Sequence, residues 1–250
     1  MLYFLKVNRF FILNNIFLTT RLAMKLTAFQ SKTLLILIPL ILLLSTAIYF
    51  YGANEPTLPK MTVQEKKARF KNLIIPAIDE VYDELMVQYL DVSESLKLGS
   101  DNDMIEKLKI EYKAKTDNEL LMALKPHPKS IAIAQAAMES SWATSRFFNE
   151  ANNIFGVWSF DDDEPRIAAL KKRGDKTIWL KRYPSIKASV RGYYRTLGRS
   201  AAFQKFRQLR LKTDDPYSLV KKLDRYSEKG AEYGDELTSI IKFNKFNTYD

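Results

Sequence analysis

Residues 130–142 read SIAIAQAAMESSW. The part from Ser130 to Ser140 is apolar on nearly all sides and rich in alanine. Such a pattern predicts a helix buried over most of its surface, with small side chains that let neighbouring helices approach closely. The helix ends on a lone acid, Glu139, with Trp142 just beyond it. A carboxyl group in apolar surroundings has its pKa raised, because burial penalises the charged form. A raised pKa is what a general acid needs near neutral pH. The competing reading is a glutamate that merely ends its helix and faces water.

Working outward, the flanks are also helical. From Val63 on, Phe70, Leu73, Ile74, Ile78, Val81, Leu85 and Leu90 follow spacings of three and four, and Pro76 is expected to divide the stretch. Met104, Ile105, Leu108, Ile110 and Tyr112 predict another helix. Thr116 or Asp117 caps NELLMAL, Thr144 or Ser145 caps a short helix through Phe147 and Phe148, and Ser185 caps SIKASVRGYYRTLG. Asp215-Pro216 starts a further helix, a capping acid followed by proline at the first helical position. The last helix is expected from Asp235 to about Phe246. Only Lys176 to Tyr183 (KTIWLKRY) reads as strand, with Arg166 to Leu170 as its partner in one small hairpin. The fold class is therefore mainly α with a small β-hairpin.

Toward the N-terminus, Thr33 to Tyr51 (TLLILIPLILLLSTAIYFY) carries no charge and reaches the length that spans a bilayer, roughly twenty residues. Pro39 is tolerable in a membrane helix, and Tyr49 and Tyr51 sit where an interfacial aromatic belt lies. Lys6, Arg9, Arg21, Lys25 and Lys32 all precede the run, with no acid among residues 1–53. The positive-inside rule then puts residues 1–32 in the cytoplasm and the long C-terminal part outside it, attached to the membrane by one transmembrane helix. A cleaved signal peptide is the alternative, since Ser45 and Ala47 have the spacing of a cleavage site. The length of the run favours the anchor. Met24-Lys25 is a second candidate start, so residues 1–23 need not be translated. Residues 52–62 (GANEPTLPKMT) hold two prolines and no periodicity, and read as a linker.

The composition excludes several chemistries. No cysteine is present, which removes disulfides, thiolate metal sites and cysteine nucleophiles. His127 is the sole histidine, so a histidine-rich metal site or a Ser-His-Asp triad lacks material; between Pro126 and Pro128 it is expected to be a solvated loop residue. No metal and no organic cofactor is implied. The net charge is +10, half of it in the first 53 residues, and the remainder is a mild bias that fits a polyanionic wall or membrane surface. No nucleic-acid motif accompanies it, and no nucleic-acid partner is expected.

Four ordered blocks now matter together. AQAAMESSW (134–142) is followed by NNIFGVWSF (152–160), LKRYPSIKASVRGYYRTL (180–197) and YSEKGAEYGDEL (226–237). They resemble the glucosaminidase-domain family of peptidoglycan hydrolases, and in particular the Bax-type proteins of Gram-negative bacteria. That family has a helix ending in Ala-Gln-Ala-Ala, any residue, Glu-Ser, any residue, Trp, and about a dozen residues later Asn-Asn-Leu/Ile-Phe-Gly. The resemblance covers about residues 115–245. It departs at Ser141 and Ala143, where the family usually has glycine, and between Phe160 and Trp179.

The resemblance implies a lysozyme-like helical domain over 115–250, preceded by a helical N-terminal part over 63–114. It implies hydrolysis of the N-acetylglucosamine to N-acetylmuramic acid bond in peptidoglycan glycan strands. Glu139 becomes the general acid that protonates the leaving glycosidic oxygen, and Tyr226 the family's essential cleft tyrosine. Asn153, Phe155 and Gly156 match the motif that shapes the cleft, and Trp142 joins them as a substrate-binding candidate. The second carboxylate stays open. Asp161, Asp162, Asp163 and Glu164 lie in the implied cleft lobe, although a run of four acids is more often a solvated loop. The substrate's own N-acetyl group is the other route. Trp158, Trp179 and Tyr183 are candidates for stacking on sugars, with core packing an equal explanation. The rival activities are a muramidase or lytic transglycosylase, a glycoprotein endoglycosidase, and a catalytically weak wall-binding scaffold.

Overall fold

The computed structural model describes Leu43 and residues 59–99, 103–170, 172 and 174–250. Apart from Leu43, the apolar run Thr33–Tyr51 lies outside the described residues, as do residues 1–32, expected in the cytoplasm, and most of the expected linker. Among the described residues no helix is long and apolar enough to cross a membrane.

Helix α1 (Val63–Lys97) begins at a capping box: Thr62 Oγ1 accepts from Glu65 N, and Thr62 N donates to Glu65 Oε2 at 2.7 Å. It runs unbroken through Pro76, which corrects the expected division. A proline inside a helix costs roughly 3 kcal/mol. Phe70, Ile74, Ile75, Ala77, Ile78 and Val81 are all buried on this segment. At about 1.5–3 kcal/mol for each large apolar side chain, their burial outweighs the proline several-fold.

The next helices are α2 (Asp103–Tyr112) and α3 (Asp117–Leu124), the latter capped by Thr116. Helix α4 (Lys129–Glu139) runs through the core of residues 60–250: every residue from Ser130 to Ala137 is buried. It packs against α1, against the C-terminal 3-10 turn (Phe246–Tyr249) and against α9 (Ala231–Asn244). Its alanines permit this, since a small side chain costs little helix propensity and leaves room for a neighbour. Pro128 offers no side-chain cap. The Asp250 carboxylate takes that place, accepting from Ser130 N at 2.7 Å and Ser130 Oγ at 2.6 Å.

Helix α5 (Arg146–Ala151) is capped by Ser145, and α6 (Ile186–Arg199) by Ser185. Between them β1 (Arg166–Ala168) pairs antiparallel with β2 (Trp179–Lys181), with Ile167 opposite Leu180. The hairpin expected from the sequence is present, in shorter strands. A 3-10 turn (Ala201–Phe203) leads into α7 (Gln204–Arg210), and α8 (Pro216–Val220) starts at the Asp215 cap. Helix α9 starts at Ala231 rather than Asp235, because Gly230 supplies the left-handed turn (φ 60°) that precedes it.

His127 is also a correction: it is buried, not solvated. Its ring stacks on Tyr194 (4.5 Å between centroids, 25°) and meets the edges of Tyr193 and Phe206. Burial, and then the Arg210 charge, push its pKa down to about 3, so the ring is neutral. Two flanking prolines say nothing about whether a ring points inward.

After α4 the backbone makes a left-handed turn through three consecutive non-glycine residues, Ser141 (φ 51°), Trp142 (φ 61°) and Ala143 (φ 60°). Trp142 N donates to Ala137 O at 2.8 Å, and Ser140 Oγ accepts from Ala143 N at 2.8 Å, which pins it. Each such residue costs about 1–2 kcal/mol. Ser141 is exposed, so Ser141→Gly should stabilise the protein by about 0.5–1 kcal/mol after the entropy of the added glycine is counted. Ala143→Gly should be close to neutral, since it also removes a fully buried methyl worth about 0.8 kcal/mol. Urea unfolding of the two variants checks the order.

Candidate active site

Glu139 stands at the last residue of α4, half-buried. One turn earlier on the same helix face is Gln135, fully buried. Tyr233, in the first turn of α9 and 1% exposed, donates its hydroxyl to Glu139 Oε1 at 2.8 Å. Gln135 Nε2 donates to the same Tyr233 oxygen at 2.8 Å. Tyr193 on α6 donates to Gln135 Oε1 at 2.5 Å. The other carboxylate oxygen, Oε2, is turned toward Gly156, where a Cβ would lie 3.9 Å from it.

Burial raises the Glu139 pKa. The Tyr233 hydrogen bond and the Lys229 charge oppose the shift, and Glu236 adds to it. Lys229 and Glu236 pair with each other at 2.5 Å. The carboxyl group is thus poised to keep a proton at a higher pH than a solvated glutamate.

Tyr226 lies beside this pair. Its ring stacks on Tyr233 at 5.4 Å and 14°, and its hydroxyl donates to Phe155 O at 3.1 Å. Burial and the nearby Glu139 push its pKa well above the usual value, so it stays a neutral donor. Glu139, Tyr226 and Gly156 are therefore brought together.

Of the remaining candidates, Asn153 and Phe155 serve the wall of the site. Asn153 is buried; its Nδ2 donates to Val157 O and Lys181 O, and its Oδ1 accepts from Val157 N. Phe155 is buried face to face with Tyr193 at 3.9 Å. Both fix the loop that carries Gly156. Trp142 packs against Phe70 and Phe246, with the Lys67 ammonium over its ring. The apolar setting expected from Trp142 comes instead from the Tyr226–Tyr233 stack.

On the hairpin side, Glu164 accepts from Lys181 Nζ at 2.6 Å and Ser159 Oγ at 2.7 Å. Burial alone would raise its pKa, but these hydrogen bonds outweigh it and hold the group charged. Asp161, Asp162 and Asp163 are exposed, and Asp162 pairs with Arg166. Trp158 keeps an open face (42% exposed) beside the exposed Phe160. Trp179 carries Arg166 over its ring at 4.3 Å, and Tyr183 packs over Gly192. Among the described residues no group of three or more acidic or histidine side chains is placed to hold a metal. A concavity of 620 Å³, lined among others by Lys115, Glu119, Arg199 and Arg207, contains no member of the Glu139 cluster. What marks the Glu139 cluster is the convergence of a shifted carboxyl with its donors.

Sequence reasoning missed Gln135 and Tyr233. The signal available for Gln135 was its position four residues before Glu139 on one helix face. Tyr233 is 98 residues from Gln135, and nothing local announces that contact.

The family model described as mannosyl-glycoprotein endo-beta-N-acetylglucosaminidase (Glucosaminidase) matches residues 115–246. Over 153 residues the chain is 27% identical to Protein bax of Escherichia coli (strain K12), which covers 57% of this chain. The match spans about half, 54%, of that relative's length. Among solved structures, the catalytic domain of the autolysin Auto from Listeria monocytogenes aligns at 17% identity with a TM-score of 0.46, covering 83% of this chain and 97% of the other. The peptidoglycan hydrolase from Sphingomonas sp. A1 aligns at 18% identity and 0.41, covering 58% and 85%. The C-terminally truncated glycoside hydrolase domain of FlgJ from Salmonella typhimurium aligns at 19% and 0.38, covering 57% and 96%.

Proposed function

The chain belongs to the glucosaminidase family, and from that premise we propose that it hydrolyses the N-acetylglucosamine to N-acetylmuramic acid bond of peptidoglycan glycan strands, with Glu139 as general acid. The observation that carries the reading is the half-buried Glu139 carboxyl, hydrogen-bonded by Tyr233 on one oxygen and open toward Gly156 on the other. A neutral carboxylic acid at that point delivers its proton to the bridging oxygen as the sugar–oxygen bond lengthens. Tyr226 positions the reacting sugar through the free lone pairs of its hydroxyl. The positive charge that develops on the anomeric carbon is met by one of two groups. One is Glu164, kept ionised by Lys181; the other is the substrate's N-acetyl oxygen. The exposed Trp158 face offers a stacking surface for a sugar ring.

In this reading the domain works in the periplasm, attached to the inner membrane through Thr33–Tyr51 or released from it. The test is mass spectrometry of material that residues 54–250 release from purified sacculi. Reducing N-acetylglucosamine ends are the expected product. Anhydro-muramic ends would assign a lytic transglycosylase, and reducing muramic ends a muramidase. Wall binding with no release would leave a scaffold, and release from high-mannose glycans alone a glycoprotein endoglycosidase.

A further inference from the structure

We propose that Gln135 and Tyr233 are positioning residues that hold the Glu139 proton on Oε2, the oxygen turned toward Gly156. The inference rests on the reading of Glu139 as general acid and adds to it the direction in which the acid points.

A carboxylic acid has two oxygens and one proton, and only a proton facing the substrate is useful. The hydrogen-bond polarity around Glu139 decides between them. A tyrosine hydroxyl has one hydrogen to give and lone pairs to receive. The Tyr233 oxygen receives the Gln135 amide N–H at 2.8 Å, so its own hydrogen goes to Glu139 Oε1, also at 2.8 Å. The Gln135 amide is held in the required sense because its oxygen receives the Tyr193 hydroxyl at 2.5 Å. Three donors in series thus point at Glu139. With Oε1 already filled by a donor, a proton taken up by the carboxyl group sits on Oε2.

The opposite polarity fits the same heavy atoms. Glu139 would then give its proton from Oε1 to Tyr233, Tyr233 to the Gln135 oxygen, and the Gln135 amide to Tyr193. In that state the acid's proton points into the core and is lost to catalysis. What selects the productive sense lies at the far end of the chain. Tyr193 is fully buried, stacked on Phe155 at 3.9 Å and 11°, with the His127 edge at 5.5 Å. Phe155 belongs to the loop that carries Gly156. In the reversed sense the Tyr193 hydrogen would need another acceptor, whereas among the described residues the Tyr193 hydroxyl has one hydrogen-bond partner, Gln135 Oε1. A network in a low-dielectric interior is worth more than its separate bonds, so its direction is not easily reversed.

The groups that act on the Glu139 charge are Tyr233, Tyr226, Lys229 and Glu236. Of these only Tyr233 gives the carboxylate a hydrogen bond. In the proposed polarity that bond favours the ionised form. Tyr233→Phe keeps the ring and its stack on Tyr226 and removes the hydrogen. The turnover on sacculi should fall about tenfold at neutral pH, with KM little changed, and the alkaline limb of the activity profile should move to higher pH. Gln135→Met, close in volume, should move the limb the same way, with folding followed by circular dichroism. A limb that moves to lower pH would mean that Tyr233 accepts from the protonated acid, and overturns the proposal. So does an unmoved limb with unchanged turnover.

A second readout separates this proposal from the function it rests on. The carboxyl carbon of Glu139, labelled with ¹³C, is titrated by NMR in the wild type and in Tyr233→Phe, identified by its loss in Glu139→Gln. An upward move on loss of the hydroxyl supports the polarity even if the wild type is inert on sacculi, which would sink the hydrolase reading alone. An unchanged titration sinks the polarity whatever the substrate.

Discussion

Glu139→Gln is expected to cut muropeptide release from sacculi by about 10²–10⁴-fold while leaving the protein folded and, at pH 7, at least as stable as the wild type. Glutamine keeps the shape of the side chain and an oxygen to accept from Tyr233, but has no acidic proton to give. The stability follows from the sign of the pKa shift. The folded-state pKa of Glu139 is raised, with burial as the largest cause. The folded state therefore holds its proton more tightly than the unfolded chain, and that advantage is complete below the ordinary value of 4.5 and lost as pH rises through the folded pKa. Above it, an ionised carboxyl sits in a place that disfavours charge, and the amide does not. Calorimetry at pH 4 and pH 7 should show the variant gaining on the wild type with rising pH. Activity of the wild type should fall as pH rises through the folded pKa, since a general acid works only while protonated. Activity of the variant within tenfold of the wild type would end the assignment of Glu139.

How much of this was visible in the sequence depends on how local the cause is. The caps Thr116, Ser145, Ser185 and Asp215 were legible, because each cap needs only a side chain and an N–H two or three residues on. Burial of α4 was legible because its composition leaves no polar face. The hairpin was legible from the short run of β-branched and aromatic residues in KTIWLKRY. Pro76 was misjudged because its local cost is real and is outweighed by partners far along the chain. The same applies to His127, whose neighbours Tyr193, Tyr194 and Phe206 come from α6 and α7. At the site, resemblance led to Glu139, Tyr226 and Gly156, which the structure brings together. The donors that govern the acid became visible only when α6 and α9 were folded onto α4. Trp142 illustrates the reverse: adjacency in sequence suggested contact with Glu139, and the left-handed turn carries it toward Phe70 and Phe246.

The close approach of α9 to α8 gives the second large effect. Gly234 follows Tyr233 directly, and a Cβ there would lie 2.9 Å from Val220 O and 3.2 Å from Lys221 Cα. Both are backbone atoms and cannot swing aside. Gly234→Ala gains up to about 1 kcal/mol of helix propensity, but overpacking a rigid contact costs about 1–3 kcal/mol or more. A net loss of up to about 2 kcal/mol is expected, read as a lower urea midpoint with an unchanged slope. Gly192→Ala is the matched comparison. Its Cβ would come still closer, 2.7 Å, but to the hydroxyl end of the Tyr183 side chain, which can move. It should therefore lose less stability despite the shorter distance. The two also differ in function. Relief of the Gly234 clash shifts the first turn of α9, and with it the Tyr233 hydroxyl that must stay within hydrogen-bond reach of Glu139. Gly234→Ala should thus lose activity beyond what its unfolded fraction explains, and Gly192→Ala should not. Equal losses of stability in the two variants would show that the α8–α9 contact yields as readily as a side chain. The placement of Tyr233 would then need another cause.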